Sequence, residues 1–512
     1  MTGTPVWSVD PRTGKQREQV AAEATAREVD RAVRAAHAAR GALADRTTRI
    51  AFLRAAADLL DGSAARVVET ADAETALGPG RLTGELARTT YQLRAVADAV
   101  ADGAYLDVRI DRADPALTPP RPELRRYKVP LGVVAVYAAS NFPLAFSVPG
   151  GDTASALGAG CPVVVKAHPD HPATSELCAS LLRRAAAESG LPADVVSVVH
   201  GFDAGLELIR HPLVTAAGFT GSIRGGRALF DAAAARPVPI PFHGELGSLN
   251  PVVVTPAAAA ERAEEIGAGL AGSVTLGVGQ FCVKPGLVLV PEGADGDRLT
   301  GALTKALGES GPGVLLDHRM RENFITGVGE RAVLPGVGAP VRPGSGGAHT
   351  VGAGYLTIAA RGLLDGPRTY GALLEECFGP VTVVVRYADQ GEAADVLDLL
   401  PGNLTATLQL SAAECAGPDP TGAAELIGQV TRLAGRVVVN GWPTGVAVAP
   451  AQHHGGPYPA ATSHSTSVGG TAIERWLRPV AYQSVPDPLL PPELREANPL
   501  GLPRLVTGGP AA

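Results

Sequence analysis

The sequence predicts an α/β fold of mostly parallel sheets covered on both faces. From residue 131 onward, short apolar runs alternate with helical stretches at close spacing. A second block with the same alternation begins near Pro251. At 512 residues the chain is too long for one small core, so two or three domains are expected. No internal repeat or low-complexity tract is present.

Residues 1–20 are polar and read as loop. Residues 25–102 read as helical, because apolar residues recur at three and four: Ile50, Leu53, Leu59 and Leu60, then Leu86, Leu93, Val96 and Val100. Gly78-Pro79-Gly80 splits this region into two helical blocks, and its Arg and Glu residues read as a solvated face. Residues 103–130 hold Pro115, Pro119, Pro120 and Pro122 among short β-like pieces, as in an arm or a linker. Strands follow at 132–137, 163–165, 195–199 and 214–219, with helices over 152–160, 173–189 and 227–235. In the second block strands are predicted at 252–254, 287–290, 381–386, 404–410 and 437–439. Its helices are predicted at 257–270, 296–307, 317–328 and 422–433. The Gly/Pro-rich stretch 335–355 reads as loop, and the Pro-rich tail from about 484 as a segment on the surface or on a neighbouring subunit.

Bulk properties narrow the function. Hydrophobic residues make up 46% and charged residues 19%, and the formal net charge is −7 without a basic stripe, which argues against nucleic acid as the main partner. No apolar run reaches the roughly 18–20 residues that span a bilayer, so no membrane partner is expected. The first residues lack a basic segment followed by an apolar core, so no export signal is expected. Cys161, Cys178, Cys282, Cys377 and Cys415 are irregularly spaced, with no CxxC pair. That pattern argues for a reducing compartment, the cytoplasm by default, without disulfides or structural zinc.

One stretch stands out chemically. In Gly279-Gln280-Phe281-Cys282-Val283-Lys284-Pro285-Gly286 a cysteine lies on a glycine- and proline-bounded turn, just before a strand. Such a turn presents a thiol, so Cys282 is a candidate nucleophile; a buried structural cysteine is the other reading. Other signals lie at strand ends, where α/β folds place ligands. Asn141 precedes Phe142-Pro143 and has an amide to offer a cleft, or forms a plain turn. Lys166 ends a buried strand and can reach a ribose or phosphate, or solvent. Thr220-Gly221-Ser222-Ile223-Arg224-Gly225-Gly226 is a strand, a glycine turn and a helix start, suited to an anion but not a GxGxxG match. Glu245, between glycines, is a candidate general base or a surface turn residue. His168, His171, His453 and His454 read as structural, with no third ligand at metal spacing, and no GxSxG elbow supports a serine hydrolase.

The ordered set of Asn141, Lys166, Gly221/Gly226, Glu245, Cys282 and Glu376-Cys377-Phe378-Gly379-Pro380 resembles the aldehyde dehydrogenase superfamily, over about residues 15–480. The resemblance implies an aldehyde-dehydrogenase-like subunit of two Rossmann-like parallel-sheet domains and a small β oligomerisation arm. The cofactor domain would take 1–108 and 131–246, the catalytic domain 247–450, the arm 109–130 and 470–485, and a tail 486–512. It implies that Cys282 forms a thiohemiacetal and then a thioester, with Asn141 and the Cys282 amide holding the oxyanion and Glu245 activating water. Lys166 and Glu376 would hold ribose hydroxyls, Phe378 would lie against the nicotinamide, and Thr220, Gly221, Ser222 and Gly226 would receive the pyrophosphate. No metal is implied.

Departures from the common pattern narrow the resemblance. Glu245-Leu246-Gly247-Ser248-Leu249-Asn250-Pro251 stands for the usual Glu-Leu-Gly-Gly-Lys, and His454-Gly455-Gly456-Pro457-Tyr458-Pro459-Ala460 for the usual Pro-Phe-Gly-Gly. With Lys166-Ala167-His168-Pro169, these are similar to the α-ketoglutaric semialdehyde (2,5-dioxovalerate) dehydrogenases, which would yield 2-oxoglutarate. Pro169 stands where NAD-preferring members carry a Glu, so NADP is the expected cofactor with NAD admissible; Arg224 and His168 are candidates for its phosphate. A small-molecule aldehyde partner and a homodimer or homotetramer are implied. Another semialdehyde, a long-chain aldehyde, a CoA-acylating reaction and a catalytically silent homologue stay open, although Glu245 argues against CoA and the intact set against silence. A substrate with a distal carboxylate needs a cationic or hydrogen-bonding group. No arginine stands out for it in the sequence, and Gln280 and Phe146 are expected along the tunnel.

Overall fold

The computed structural model describes residues 3–417 and 422–508. A five-stranded sheet is ordered Val196–Val199, Val163–Lys166, Val133–Tyr137, Val214–Thr220, Phe242–Glu245, and every neighbouring pair is parallel. The strand order reverses between Val133–Tyr137 and Val214–Thr220, which opens a crevice at their carboxyl ends. Register puts Tyr137 level with Lys166 and Phe219, and Thr220 level with Glu245, so the strand-end candidates share one edge.

Alternation of side chains explains the two covered faces. Val134, Val136, Val163 and Val165 pack on helices Arg46–Gly62, Pro79–Asp102 and Pro172–Glu188. Val133, Ala135, Tyr137 and Val164 pack on Ala26–Ala39, Phe202–Arg210 and Ile223–Ala234. The helices have clear starts. Thr25 and Glu28 form a capping box, Asp45 accepts from the Thr48 amide, and Pro79 opens Pro79–Asp102, which Gly103 closes at φ +79°. Region 25–102 therefore breaks at Arg40–Leu43 and Ser63 as well as at Gly78-Pro79.

A seven-stranded sheet forms the second centre. Its order is Gly338–Val341, Gly354–Ala359, Val381–Tyr387, Leu287–Pro291, Val252–Val254, Asn403–Gln409, Ala434–Val439, with only the first strand antiparallel. Val252, Val254, Val288 and Val290 face helices Pro256–Thr275 and Ala294–Gly308, while Val253, Leu287 and Leu289 face the opposite core.

The structure corrects the irregular regions. Residues expected as N-terminal loop form the hairpin Pro5–Asp10 and Lys15–Ala22, which Arg12 pins to Asp72 at 2.8 Å. Its second strand is so polar that no alternation marks it. Stretch 335–355 contains the strands Gly338–Val341, Gly344–Ser345 and Thr350–Gly352, because glycine allows close backbone approach; a Cβ on Gly354 would strike Val341 and Pro343. A four-stranded sheet is ordered Leu477–Gln483, Leu124–Pro130, Val108–Asp111, Arg504–Thr507. Segment 470–485 is thus only partly strand: Gly470–Trp476 is a 3-10 helix that buries Ala472, Ile473, Arg475 and Trp476. The tail lies on the surface, where its strand Arg504–Thr507 adds an edge to this sheet; residues 509–512 of it are outside the described residues. No helix among the described residues is long and apolar enough to cross a membrane.

Candidate active site

Cys282 sits after a tight left-handed passage. Gly277, Val278 and Gly279 all have positive φ, +54°, +59° and +67°. For a β-branched residue such as Val278 that conformation costs roughly 1–3 kcal/mol, and it persists only where surroundings dictate it. The surroundings are visible. Asn250 Nδ2 donates to the Cys282 carbonyl at 2.9 Å and to that of Lys284 at 3.0 Å. Lys284 Nζ donates to Val381 O at 2.6 Å and Cys377 O at 3.3 Å, tying the cysteine turn to the segment carrying Glu376. A Cβ on Gly279 would strike the Gly379–Pro380 backbone, so the two segments touch directly.

The thiol is half-buried and faces a carboxylate across a histidine. His454 Nε2 lies 3.7 Å from Cys282 Sγ and 3.5 Å from Glu245 Oε2. Burial pushes the Cys282 pKa up to about 12; Glu245 and Glu376 add to the rise, and Arg436 and Arg88 oppose it. Glu245 is 3% exposed, makes no well-formed hydrogen bond, and has its pKa raised by burial against the opposing Arg475. Behind it, Arg475 holds Asp152 at 2.7 Å. Burial, with the cations nearby, lowers His454 to about 3, so its imidazole is neutral.

The structure brings Asn141 to the same place. Its Nδ2 donates to Gln280 O at 3.0 Å, two residues before the cysteine, which spends one amide hydrogen and leaves the other. Arg81 Nη2 holds the Asn141 carbonyl at 2.6 Å, and its guanidinium lies 4.4 Å from the Phe281 ring centre and 5.1 Å from that of Phe142. Phe146 packs edge-on against Phe142 and His454.

Lys166 is 8% exposed, and burial lowers its pKa to about 8. Its ammonium lies 4.7 Å from the Phe202 ring centre and makes no hydrogen bond or ion pair among the described residues. At the glycine turn the expectation needs correcting. The Gly221 amide donates to Glu245 O and the Gly226 amide to Ser222 O, so neither is free. Ser222 caps helix Ile223–Ala234 through Gly225 N, which leaves the amides of residues 222–224 as the unpaired donors of the first turn. The glycines supply room: a Cβ on Gly226 would strike Leu246 and Phe219, and one on Gly221 would strike Phe219. Thr220 ends the strand half-buried beside them. Glu376 is half-buried with its pKa raised to about 7 by burial, and Phe378 lies half-buried in the same loop.

Other expectations change as well. Gln280 is fully buried and committed to Gly277 O, Val314 O and the Leu316 amide, so it braces the turn instead of lining a tunnel. His168 is driven neutral by burial and lies 3.3 Å from Asp170, so it offers no cation, while Arg224 is exposed. The supposed solvated face of Pro79–Asp102 is wrong at Glu85, which is buried and accepts from the Leu144 and Ala145 amides. Arg81, Glu85 and Arg88 are spaced four and three apart, so one helix face points at the site, a signal the sequence did carry. His454 was also missed; its signal was its place immediately before Gly455-Gly456, in the segment that departs from the superfamily pattern.

A half-buried cysteine, a buried carboxylate with a histidine between them, and a buried lysine at the strand-end crevice of the five-stranded sheet are the parts of the candidate site. The aldehyde dehydrogenase family profile matches residues 2–322. An α-ketoglutaric semialdehyde dehydrogenase 2 of Azospirillum brasilense is 49% identical over 90% of this chain and 87% of its own length. An α-ketoglutaric semialdehyde dehydrogenase of Acinetobacter baylyi is 40% identical, covering 95% and 92%. A succinic semialdehyde dehydrogenase of Streptococcus pyogenes, solved with NADP+, superposes with a TM-score of 0.77 at 18% identity, covering 94% of this chain and 100% of that one. The chain belongs to the aldehyde dehydrogenase family, and it is an enzyme of aldehyde oxidation.

Proposed function

We propose that this enzyme oxidises α-ketoglutaric semialdehyde to 2-oxoglutarate with a nicotinamide dinucleotide, through a thioester on Cys282. The observation that carries the chemistry is the placement of His454 Nε2 between the thiol and Glu245. The substrate rests on the two relatives at 49% and 40% identity.

The crevice suits the dinucleotide. Lys166 brings an ammonium without an acceptor, and the first turn of Ile223–Ala234 brings unpaired amides suited to a pyrophosphate. Glu376 would take a ribose hydroxyl and Phe378 flank the nicotinamide, which supplies the hydride acceptor when bound. NADP is favoured because Lys166 and Arg319 both flank Phe202, at 4.7 and 6.0 Å from its ring centre, with Pro169 in place of a carboxylate.

With its pKa near 12, the thiol stays protonated at neutral pH and needs a proton acceptor as it attacks. His454, with its pKa lowered to about 3, is too weak a base to take that proton, so the proton leaves to solvent, while Arg436 and Arg88 favour the thiolate. The free Asn141 amide hydrogen and the Cys282 backbone N–H stabilise the oxyanion of the thiohemiacetal. Once the thioester has formed on Sγ, Glu245 draws a proton from water, and the raised pKa makes it a stronger base than an ordinary carboxylate. Residues 131–246 form the cofactor side and 247–450 the cysteine side of this reading. Strand Leu477–Gln483 lies at the edge of its sheet and supports assembly into a dimer or tetramer. A cytoplasmic location accords with five unpaired cysteines.

The test is steady-state kcat/KM with α-ketoglutaric semialdehyde, succinic semialdehyde and a long-chain aldehyde, each with NADP and with NAD. A preference for the first supports the reading, and a preference for the long-chain aldehyde overturns the substrate while keeping the mechanism.

A further inference from the structure

Arginines converge on the cysteine without a carboxylate to pair with. Arg88 comes from helix Pro79–Asp102 and Arg436 from strand Ala434–Val439, and both act on the thiol electrostatically. Neither makes an ion pair within 4.0 Å among the described residues, although both are largely enclosed. Arg88 Nε donates to Val446 O at 3.0 Å, and Arg436 Nη2 donates to Thr444 O at 3.2 Å. Their acceptors are two residues apart, so one short loop holds both guanidiniums close to each other. That arrangement spends one donor group of each. Both terminal nitrogens of Arg88 are left over, as are Nη1 and Nε of Arg436, the last buried without a partner.

The surroundings sharpen the contrast. Arg88 lies 5.2 Å from the Phe146 ring centre, and Phe146 packs on His454, so the charge sits one aromatic ring away from the histidine beside the thiol. The buried acid on the same helix, Glu85, has its pKa raised by burial and gives Oε1 to backbone amides. It acts on Arg88 only through space and forms no ion pair within 4.0 Å with either arginine among the described residues. Burial lowers the pKa of both arginines, so enclosing them uncompensated is unfavourable. A fork of free N–H groups is also the geometry that recognises a carboxylate.

We propose that Arg88 and Arg436 together clamp the carboxylate at the far end of the substrate, and so select short aldehydes that end in an anion. The proposal rests on the semialdehyde reading above and adds the residues that would enforce it. Arg81 also keeps Nε and Nη1 unpaired, but its Nη2 holds the Asn141 carbonyl and its guanidinium lies against Phe142 and Phe281, so its part is to position Asn141. A site built to bond a polar group discriminates strongly against an analogue that lacks it.

The experiment measures kcat/KM for α-ketoglutaric semialdehyde and for pentanal, which has the same chain length and no anion. It uses the wild type, Arg88→Met, Arg436→Met, and the conservative Arg88→Lys and Arg436→Lys, with folding checked by thermal melting. The ratio of the two values falls roughly 10- to 100-fold in each Met variant, through KM for the anionic aldehyde, and recovers in part with Lys. An unchanged ratio, even if both rates drop, overturns the clamp. Protection of wild-type Cys282 from iodoacetamide by glutarate tests binding without turnover: the clamp predicts protection that the Met variants lose, and no protection in the wild type overturns it. A wild type that oxidises pentanal but not the semialdehyde overturns the substrate reading instead, while glutarate protection still decides the clamp.

Discussion

Replacing Glu245 by Gln is expected to speed one step and stop another. Glu245 Oε2 and Cys282 Sγ are each within 3.7 Å of the same histidine nitrogen, so they are no more than about 7 Å apart. At that separation and an effective dielectric constant near 20, one negative charge raises the cost of a thiolate by roughly 2 kcal/mol. The Glu245→Gln variant removes that charge wherever Glu245 is ionised. The thiolate fraction then rises by roughly 30-fold, and iodoacetamide alkylates Cys282 faster by a similar factor at mildly alkaline pH. Turnover moves the other way, because the thioester loses its general base, and steady-state kcat falls roughly 10²- to 10⁴-fold. A pre-steady-state burst of reduced dinucleotide survives, since acylation precedes the lost step. The assay is alkylation followed by mass spectrometry, set beside stopped-flow absorbance. Slower alkylation, or full turnover in the variant, would refute this reasoning.

Other outcomes follow from the same geometry. Arg475→Met strands the buried Asp152 carboxylate, whose partner is 2.7 Å away, and thermal or denaturant melting should show a loss of roughly 3–5 kcal/mol. Gly279→Ala places a Cβ against the Gly379–Pro380 backbone at φ +67°; activity collapses while circular dichroism stays near native, the sign that the turn alone has shifted. In the dinucleotide-free chain, alkylation of Cys282 keeps rising up to about pH 10, because burial holds the thiol high. It shows no step near ~6.5, the usual histidine value, because His454 titrates far lower. Lys166→Met weakens NADPH binding about tenfold in a fluorescence titration, as expected for loss of an ammonium without another partner.

Much of the fold was legible because its strands are fully buried. Runs such as 133–137 and 287–291 are continuous apolar stretches, each preceded by a glycine, and that pattern survives in sequence. The hairpin Pro5–Asp10 and Lys15–Ala22 was illegible for the opposite reason: its second strand faces solvent and carries no alternation. Strands within 335–355 hid behind glycines that serve close backbone approach, which reads in sequence as a loop. In the site, Cys282, Lys166 and Glu245 announced themselves by standing at strand ends or on a glycine turn. His454 did not, because its place comes from contacts with Cys282 and Glu245, segments 172 or more residues away in the chain. Gln280 misled by proximity: next to the cysteine turn in sequence, it points inward to brace Leu316. Gly221 and Gly226 misled by motif, since their amides are consumed within the fold and only their missing side chains matter.

The central claim is that oxidation proceeds on Cys282 with α-ketoglutaric semialdehyde as the acyl donor. The direct measurement is a single-turnover mixture of Glu245→Gln enzyme, NADP and that aldehyde, quenched in acid and mapped by peptide mass spectrometry. The account predicts a five-carbon acyl group on the peptide carrying Cys282, formed in step with reduced dinucleotide. Reduced dinucleotide without an acyl group, or an acyl group on Cys377 in place of Cys282, would contradict it.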